Sequence, residues 1–189
     1  MRKPTSVATL ETLGRVRLSK TFFMRDMLYS EIAQIHGLVN VPDDPDLAIE
    51  AGRHLCQELL EPLQDHWGRI AIRSAYRSRL VNQLGNEKGY SCSSNEANRA
   101  GHIWDWRDEN KCLGATACVV VPSFWDAYRN SGDWRIIAEW VHYNLPYSEL
   151  EFFNETKRFA FNISWNEQPK RKVLSYAAPI GLWNPARDY

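Results

Sequence analysis

The sequence has no run of about 18 apolar residues, so nothing in it reads as a membrane span. Its N-terminus, MRKPTSVATLETLGRVRL, carries basic residues but no apolar stretch of the length an export signal requires. The chain therefore reads as soluble and cytoplasmic. It also lacks an excess of charge, with 23 Lys plus Arg against 23 Asp plus Glu. No global field then favours nucleic acid or an anionic membrane, and neither is expected as a partner. Four cysteines, Cys56, Cys92, Cys112 and Cys118, form no Cys-x-x-Cys pair. A zinc knuckle or thioredoxin-type centre has nothing to stand on, and reduced thiols are the expected state. There is no internal repeat and no low-complexity tract, and Pro and Gly are scattered as turn punctuation.

What is present fits a globular chain: 189 residues, 44% hydrophobic and 12% aromatic, with the Trp mostly between 104 and 183. That length suggests a single domain over 1–189 with a core large enough to need no staples. SKTFFMRDMLYSEIAQIHG, residues 19–37, spaces Phe23, Met27, Leu28, Ile32 and Ile35 as one helix ending at Gly37. NVPDDPD is a turn-rich loop. LAIEAGRHLCQELLEPLQDHWG, 47–68, repeats Leu55, Leu59, Leu60 and Leu63 as a second helix, which Pro62 is placed to bend.

RIAIRSAYRS alternates as a half-buried strand, and SRLVNQLGN resumes helical spacing. GHIWDWR (101–107) and TACVVVPS read as two more strands. SFWDAYRNSGDWRIIAEWVHYNL reads as one or two helices interrupted near Ser131 and Gly132. ELEFF, RFAFNISW and KVLSYA are β-prone segments between polar turns. Helices first and strands later predict an α+β fold, with an antiparallel sheet on which the N-terminal helices pack.

Several of these patterns align in order with one family. LEPLQDHWG followed by IAIRSAYRSRLVNQLG, the early FFMRDMLYSEIA, EWVHYNLPYSELEFF and FAFNISWNEQPKRKVL together resemble the D-Ala-D-Ala carboxypeptidase family of zinc peptidases, over about residues 19–176. The resemblance implies that family's fold. It also implies a zinc site made from His-x-x-Gly-x-Ala-x-Asp plus a distant His, a Glu as general base, and an Arg that steadies the substrate.

The ligands do not carry over. With Gly101 and Asp105 on the family's Gly and Asp, Asn98 stands where the first His belongs. With FNISW on the closing strand, Asn162 stands at the second His, and the general base falls on or near Phe153. Asp105 remains of the ligand set, and Arg77 of the Arg motif. An amide oxygen is a weak neutral donor for zinc, which draws its affinity from imidazole or thiolate. Loss of the base removes a contribution of about 10² to 10⁴ in rate. The expectation is a cleft without zinc or other cofactor, around Arg77, Asn98, Asp105 and Asn162, with Arg77 and Asp105 the groups to carry any chemistry. Its ligand is a peptide or a small anion, because a guanidinium takes a carboxylate bidentately. The sequence indicates no particular protein partner. Returning His to positions 98 and 162 is expected to restore zinc binding.

Other readings stay open. The chain is also consistent with an active cell-wall peptidase of bacterial or phage type, with a hydrolase of new chemistry in the same cleft, or with a structural or assembly protein. A rebuilt zinc site from His102, Asp105 and His142 is the alternative ligand set. If 101–106 is extended, however, His102 and Asp105 face opposite sides. His142 falls on a helix face with Arg135 and Glu139, away from the Ile137 and Val141 stripe. Cys92, in the polar GYSCSSNEAN loop, is the one candidate nucleophile, and Asp108 with Glu109 reads as a turn rather than an acid/base pair.

Overall fold

The computed structural model describes residues 1–131, 133–153 and 160–183. Its fold is α+β, with a six-stranded, mostly antiparallel sheet and several helices.

The N-terminal half is helical. Helix α1 (Val7–Gly14) starts at Ser6, whose hydroxyl accepts from the Thr9 backbone N–H. The single helix expected over 19–37 is instead two short ones, α2 (Met24–Met27) and α3 (Glu31–His36). Ser30 causes the break: its backbone is extended (φ −152°, ψ 120°) and its hydroxyl caps Ala33 N. A serine side chain that bonds locally competes with helix continuation, so apolar spacing alone overstates the run. Gly37, left-handed at φ 63°, ends α3 as the spacing predicts.

The second helix extends further than its apolar pattern. Asp44 caps α4 (Pro45–His54), a π-helical turn follows over Leu55–Leu60, and α5 (Glu61–Trp67) completes it. The widened turn sits just before Pro62, which has no N–H to continue an α ladder. Leu55, Leu59, Leu60 and Leu63 on this helix are all fully buried.

The sheet runs β1 (Ala71–Ser74), β2 (Gly114–Val120), β4 (Ala160–Asn166), β3 (Glu149–Phe152), β5 (Lys172–Ser175) and β6 (Gly181–Trp183) in spatial order. Pairing is antiparallel except between β3 and β5, a departure from the all-antiparallel expectation. Helix α6 (Arg79–Glu87) follows β1, and α7 (Pro122–Ser131) and α8 (Arg135–Asn144) lie between β2 and β3. Gly132, at the expected interruption between α7 and α8, lies outside the described residues, as do Arg158 and Phe159 of the expected closing strand.

GHIWDWR does not form the expected strand. Residues 99–106 are turns, with one isolated bridge between Arg99 and Ile103. Asn98 accounts for this. Its carbonyl accepts from Gly101 N and Ile103 N, and its side-chain Oδ1 accepts from His102 N at 2.9 Å. These backbone N–H groups are satisfied locally, so the segment has no need of a sheet neighbour.

Alternation along the strands sorts side chains to two faces. Ala115, Ala117 and Val119 of β2, Phe161, Ile163 and Trp165 of β4, Leu150 and Phe152 of β3 and Val173 of β5 join the core with the leucines of the long helix. The other face carries polar groups in two rows set by strand register. Ser74, Cys118, Asn162, Glu151 and Leu174 form one row, and Thr116, Ser164, Glu149 and Lys172 the next.

Candidate functional site

That polar face is the floor of a cleft of about 1050 Å³, walled by Ser30–Ile32, Tyr90–Ser93 and Ala97–His102. The loops reach over the sheet because of side-chain ties. Asn82 on α6 donates to Ser93 O (3.1 Å) and Asn95 Oδ1 (2.9 Å), and accepts from Asn98 Nδ2 (2.7 Å). Gly101 lies so close to Asn98 that a Cβ there would stand 2.6 Å from its Oδ1.

Arg77, Asn98 and Asn162, separated by up to 85 residues of chain, all line this cleft. Arg77 follows β1 and is tied through its backbone N to His102 O at 2.8 Å. Its guanidinium donates to Cys92 Sγ (3.2 Å) and, at 3.4 Å, to Ser74 Oγ. Among the described residues no carboxylate pairs with it.

Asp105, expected beside these groups, is placed elsewhere. It is buried with its carboxylate turned behind the cleft, where Oδ2 accepts from Asp43 N (2.6 Å) and Asp44 N (3.2 Å) and Oδ1 from the Tyr76 hydroxyl (3.2 Å). The carboxylate pins the loop that starts α4, and Tyr76 and Trp104 beside it are core residues. The turn at Asn98–Gly101 is what redirects Asp105, since a strand would have set it by simple alternation. Burial and the Asp105 charge together push the Tyr76 hydroxyl pKa well up.

His102, by contrast, faces the cleft. Its Nδ1 lies 2.6 Å from Ala75 O, an acceptor only, so Nδ1 carries the proton. Burial, and next the Arg77 guanidinium, pull its pKa down to about 3, against the opposing pull of Ala75 O and the Asn162 amide. The ring is therefore neutral at pH 7.

Zinc by the family's route does not fit these residues. Asn98 spends its Oδ1 on His102 N and its Nδ2 on Asn82, and Asp105 spends both oxygens on three donors behind the cleft. Asn162, an amide, donates to Glu151 Oε2 at 2.8 Å. The alternative set is not assembled either. His142 sits half-buried on α8 with Nδ1 2.8 Å from the Tyr147 hydroxyl, and its pKa is lowered by burial and then by Arg171. Among the described residues no three His, Cys, Asp or Glu side chains are grouped to share an ion. Cys92 is buried on the cleft wall, where its Sγ accepts from Arg77. Asp108 is a turn residue: its Oδ1 accepts from Asn110 N and Cys112 N.

Sequence reasoning missed Glu149 and Glu151. The alternation in ELEFF held the signal, since Leu150 and Phe152 go to the core and leave both carboxylates on the opposite face. Glu149 pairs with Lys170 at 3.0 Å, and Phe153, where the motif resemblance would put a general base, lies on the cleft wall. Glu151 raises the pKa of the neighbouring Tyr176 chiefly through its charge. The cleft thus runs from a cation to an anion: Arg77, His102, Asn162, Glu151.

The comparisons add no relative from which a role could be read: no family model, no curated protein and no solved structure matches this chain.

Proposed function

We propose that the cleft binds a small peptide-like ligand through its carboxylate, and that it does so without zinc-dependent hydrolysis. The observation that carries this reading is Arg77: a guanidinium on the cleft wall, fixed by Ser74, Cys92 and the His102 backbone, with no carboxylate partner among the described residues. An arginine held in this way offers a planar fork of donors suited to a carboxylate. The resemblance of the sequence motifs to D-Ala-D-Ala peptidases implies the same kind of ligand and an arginine at this position. The donor set departs from that family, because Asn98 and Asn162 hold the places of imidazoles and Asp105 faces away.

Isothermal titration calorimetry with D-alanyl-D-alanine tests the reading. Saturable binding is expected, with affinity falling roughly tenfold or more in Arg77→Ala, the loss typical of one charge-assisted contact. Unchanged affinity in that variant overturns it. Release of free D-alanine would favour the competing reading of an active divergent peptidase.

A further inference from the structure

In the cleft beside Arg77, two buried acceptors lack a donor among the described residues. Asn162 Nδ2 donates to the Glu151 carboxylate, an acceptor only, which fixes the amide so that Oδ1 turns the other way. That oxygen is buried and, among the described residues, has no hydrogen-bond partner. The Asn162 side chain and the His102 ring line the same cleft, and the amide is close enough to the ring to act on it. On His102, Nδ1 gives its proton to Ala75 O, so Nε2 presents a lone pair, and among the described residues it makes no hydrogen bond.

Three rearrangements within the protein would satisfy the pair, and each is unfavourable. Moving the proton to Nε2 would set the Nδ1 lone pair against Ala75 O at 2.6 Å. Flipping the Asn162 amide would set Oδ1 against the Glu151 carboxylate at the 2.8 Å now spanned by an N–H. Protonating Nε2 would place a cation in a ring that is only 5% exposed and next to Arg77. An unpaired buried acceptor costs free energy, and two that converge on the same space are best satisfied by a donor from outside. With Arg77 neutralised by the ligand's own carboxylate and the Glu151 carboxylate one hydrogen bond behind Asn162, a positively charged donor is favoured over a neutral one.

We infer that His102 Nε2 and Asn162 Oδ1, backed by Glu151, form a subsite that receives a ligand ammonium group. This rests on the reading of Arg77 as the carboxylate partner, and together the two ends define the ligand class as a free amino acid or short peptide in zwitterionic form. The subsite has a direction: the carboxylate lies toward β1 and the amine toward β3. N-acylated peptides are then poor ligands, since acylation removes the charge.

Two probes separate this inference from the reading beneath it. D-alanyl-D-alanine carries both charges, whereas N-acetyl-D-alanyl-D-alanine keeps only the carboxylate. The free dipeptide is expected to bind roughly 10- to 100-fold more tightly to the full chain, with Asn162→Ala removing most of that difference. In ¹⁵N-histidine NMR of the unmutated protein, the His102 Nε2 resonance should move from that of a bare acceptor toward that of a hydrogen-bonded nitrogen with the free dipeptide only. Equal affinities that both depend on Arg77, with Nε2 unmoved, overturn the ammonium subsite and leave the carboxylate reading standing. Failure of both peptides to bind overturns the two together. A shift of Nε2 on adding zinc alone identifies a metal site instead and overturns the inference.

Discussion

Replacing Asp105 separates a structural carboxylate from a ligand-binding one. In Asp105→Ala three donors lose their acceptor at once: Asp43 N, Asp44 N and the buried Tyr76 hydroxyl. At about 1–3 kcal/mol for each donor left unpaired, and with water able to reach the two partly buried backbone groups, the loss is about 4 kcal/mol. With a slope of about 2 kcal/mol per molar urea, the unfolding midpoint falls by about 2 M. Asp105→Asn behaves differently. Its Oδ1 can take the place of Oδ2 and accept both backbone N–H groups, while Tyr76 turns its hydroxyl to accept from Nδ2, so only charge assistance is lost, about 1–2 kcal/mol. Urea melts followed by tryptophan fluorescence report both variants. Calorimetry on Asp105→Asn should show dipeptide affinity within about twofold of the unmutated protein, because the carboxylate does not reach the cleft. A midpoint for Asp105→Ala within about 0.5 M of the starting protein, or loss of dipeptide binding in Asp105→Asn with stability intact, would refute the reasoning.

Three further perturbations follow from the same structure. Asn98→His combined with Asn162→His should not recover zinc, contrary to what the motif alone suggests, because Asp105 faces away and position 98 is enclosed by Asn82 and the His102 backbone; metal analysis after dialysis against zinc reads this directly, and stoichiometric metal would contradict it. Acid should destabilise the fold through His102: with the folded pKa lowered to about 3 against about 6.5 unfolded, its contribution is complete above about pH 6.5 and is lost as pH falls toward 3, a loss approaching about 5 kcal/mol in urea melts across that window. Leu59→Ala, at a fully buried position where the π-helical turn meets the core, should cost about 2–5 kcal/mol in the same melts with the cleft unaffected.

The sequence carried the sheet better than the site. Alternation in AIRS, GATACVV, ELEF and AFNISWN depends on neighbours two residues apart, and each of these strands is present. GHIWDWR has the same alternation without being a strand, because Asn98 satisfies the backbone first, a side-chain effect that periodicity does not register. The same turn decides the chemistry. It sends His102 into the cleft and Asp105 behind it, the reverse of the weight a motif alignment gives the two. Arg77 was legible from its place after a strand. The meeting of His102 with Asn162 and Glu151 was not, since it depends on the register between β3 and β4 and on a turn some fifty to sixty residues earlier in the chain.

The central claim is a ligand site that works with no metal. Titrating D-alanyl-D-alanine into the protein by calorimetry, in matched buffers with and without EDTA, tests it most directly. The account predicts the same dissociation constant in both buffers and no release of D-alanine in either. Binding that disappears with the chelator and returns with added zinc would contradict it.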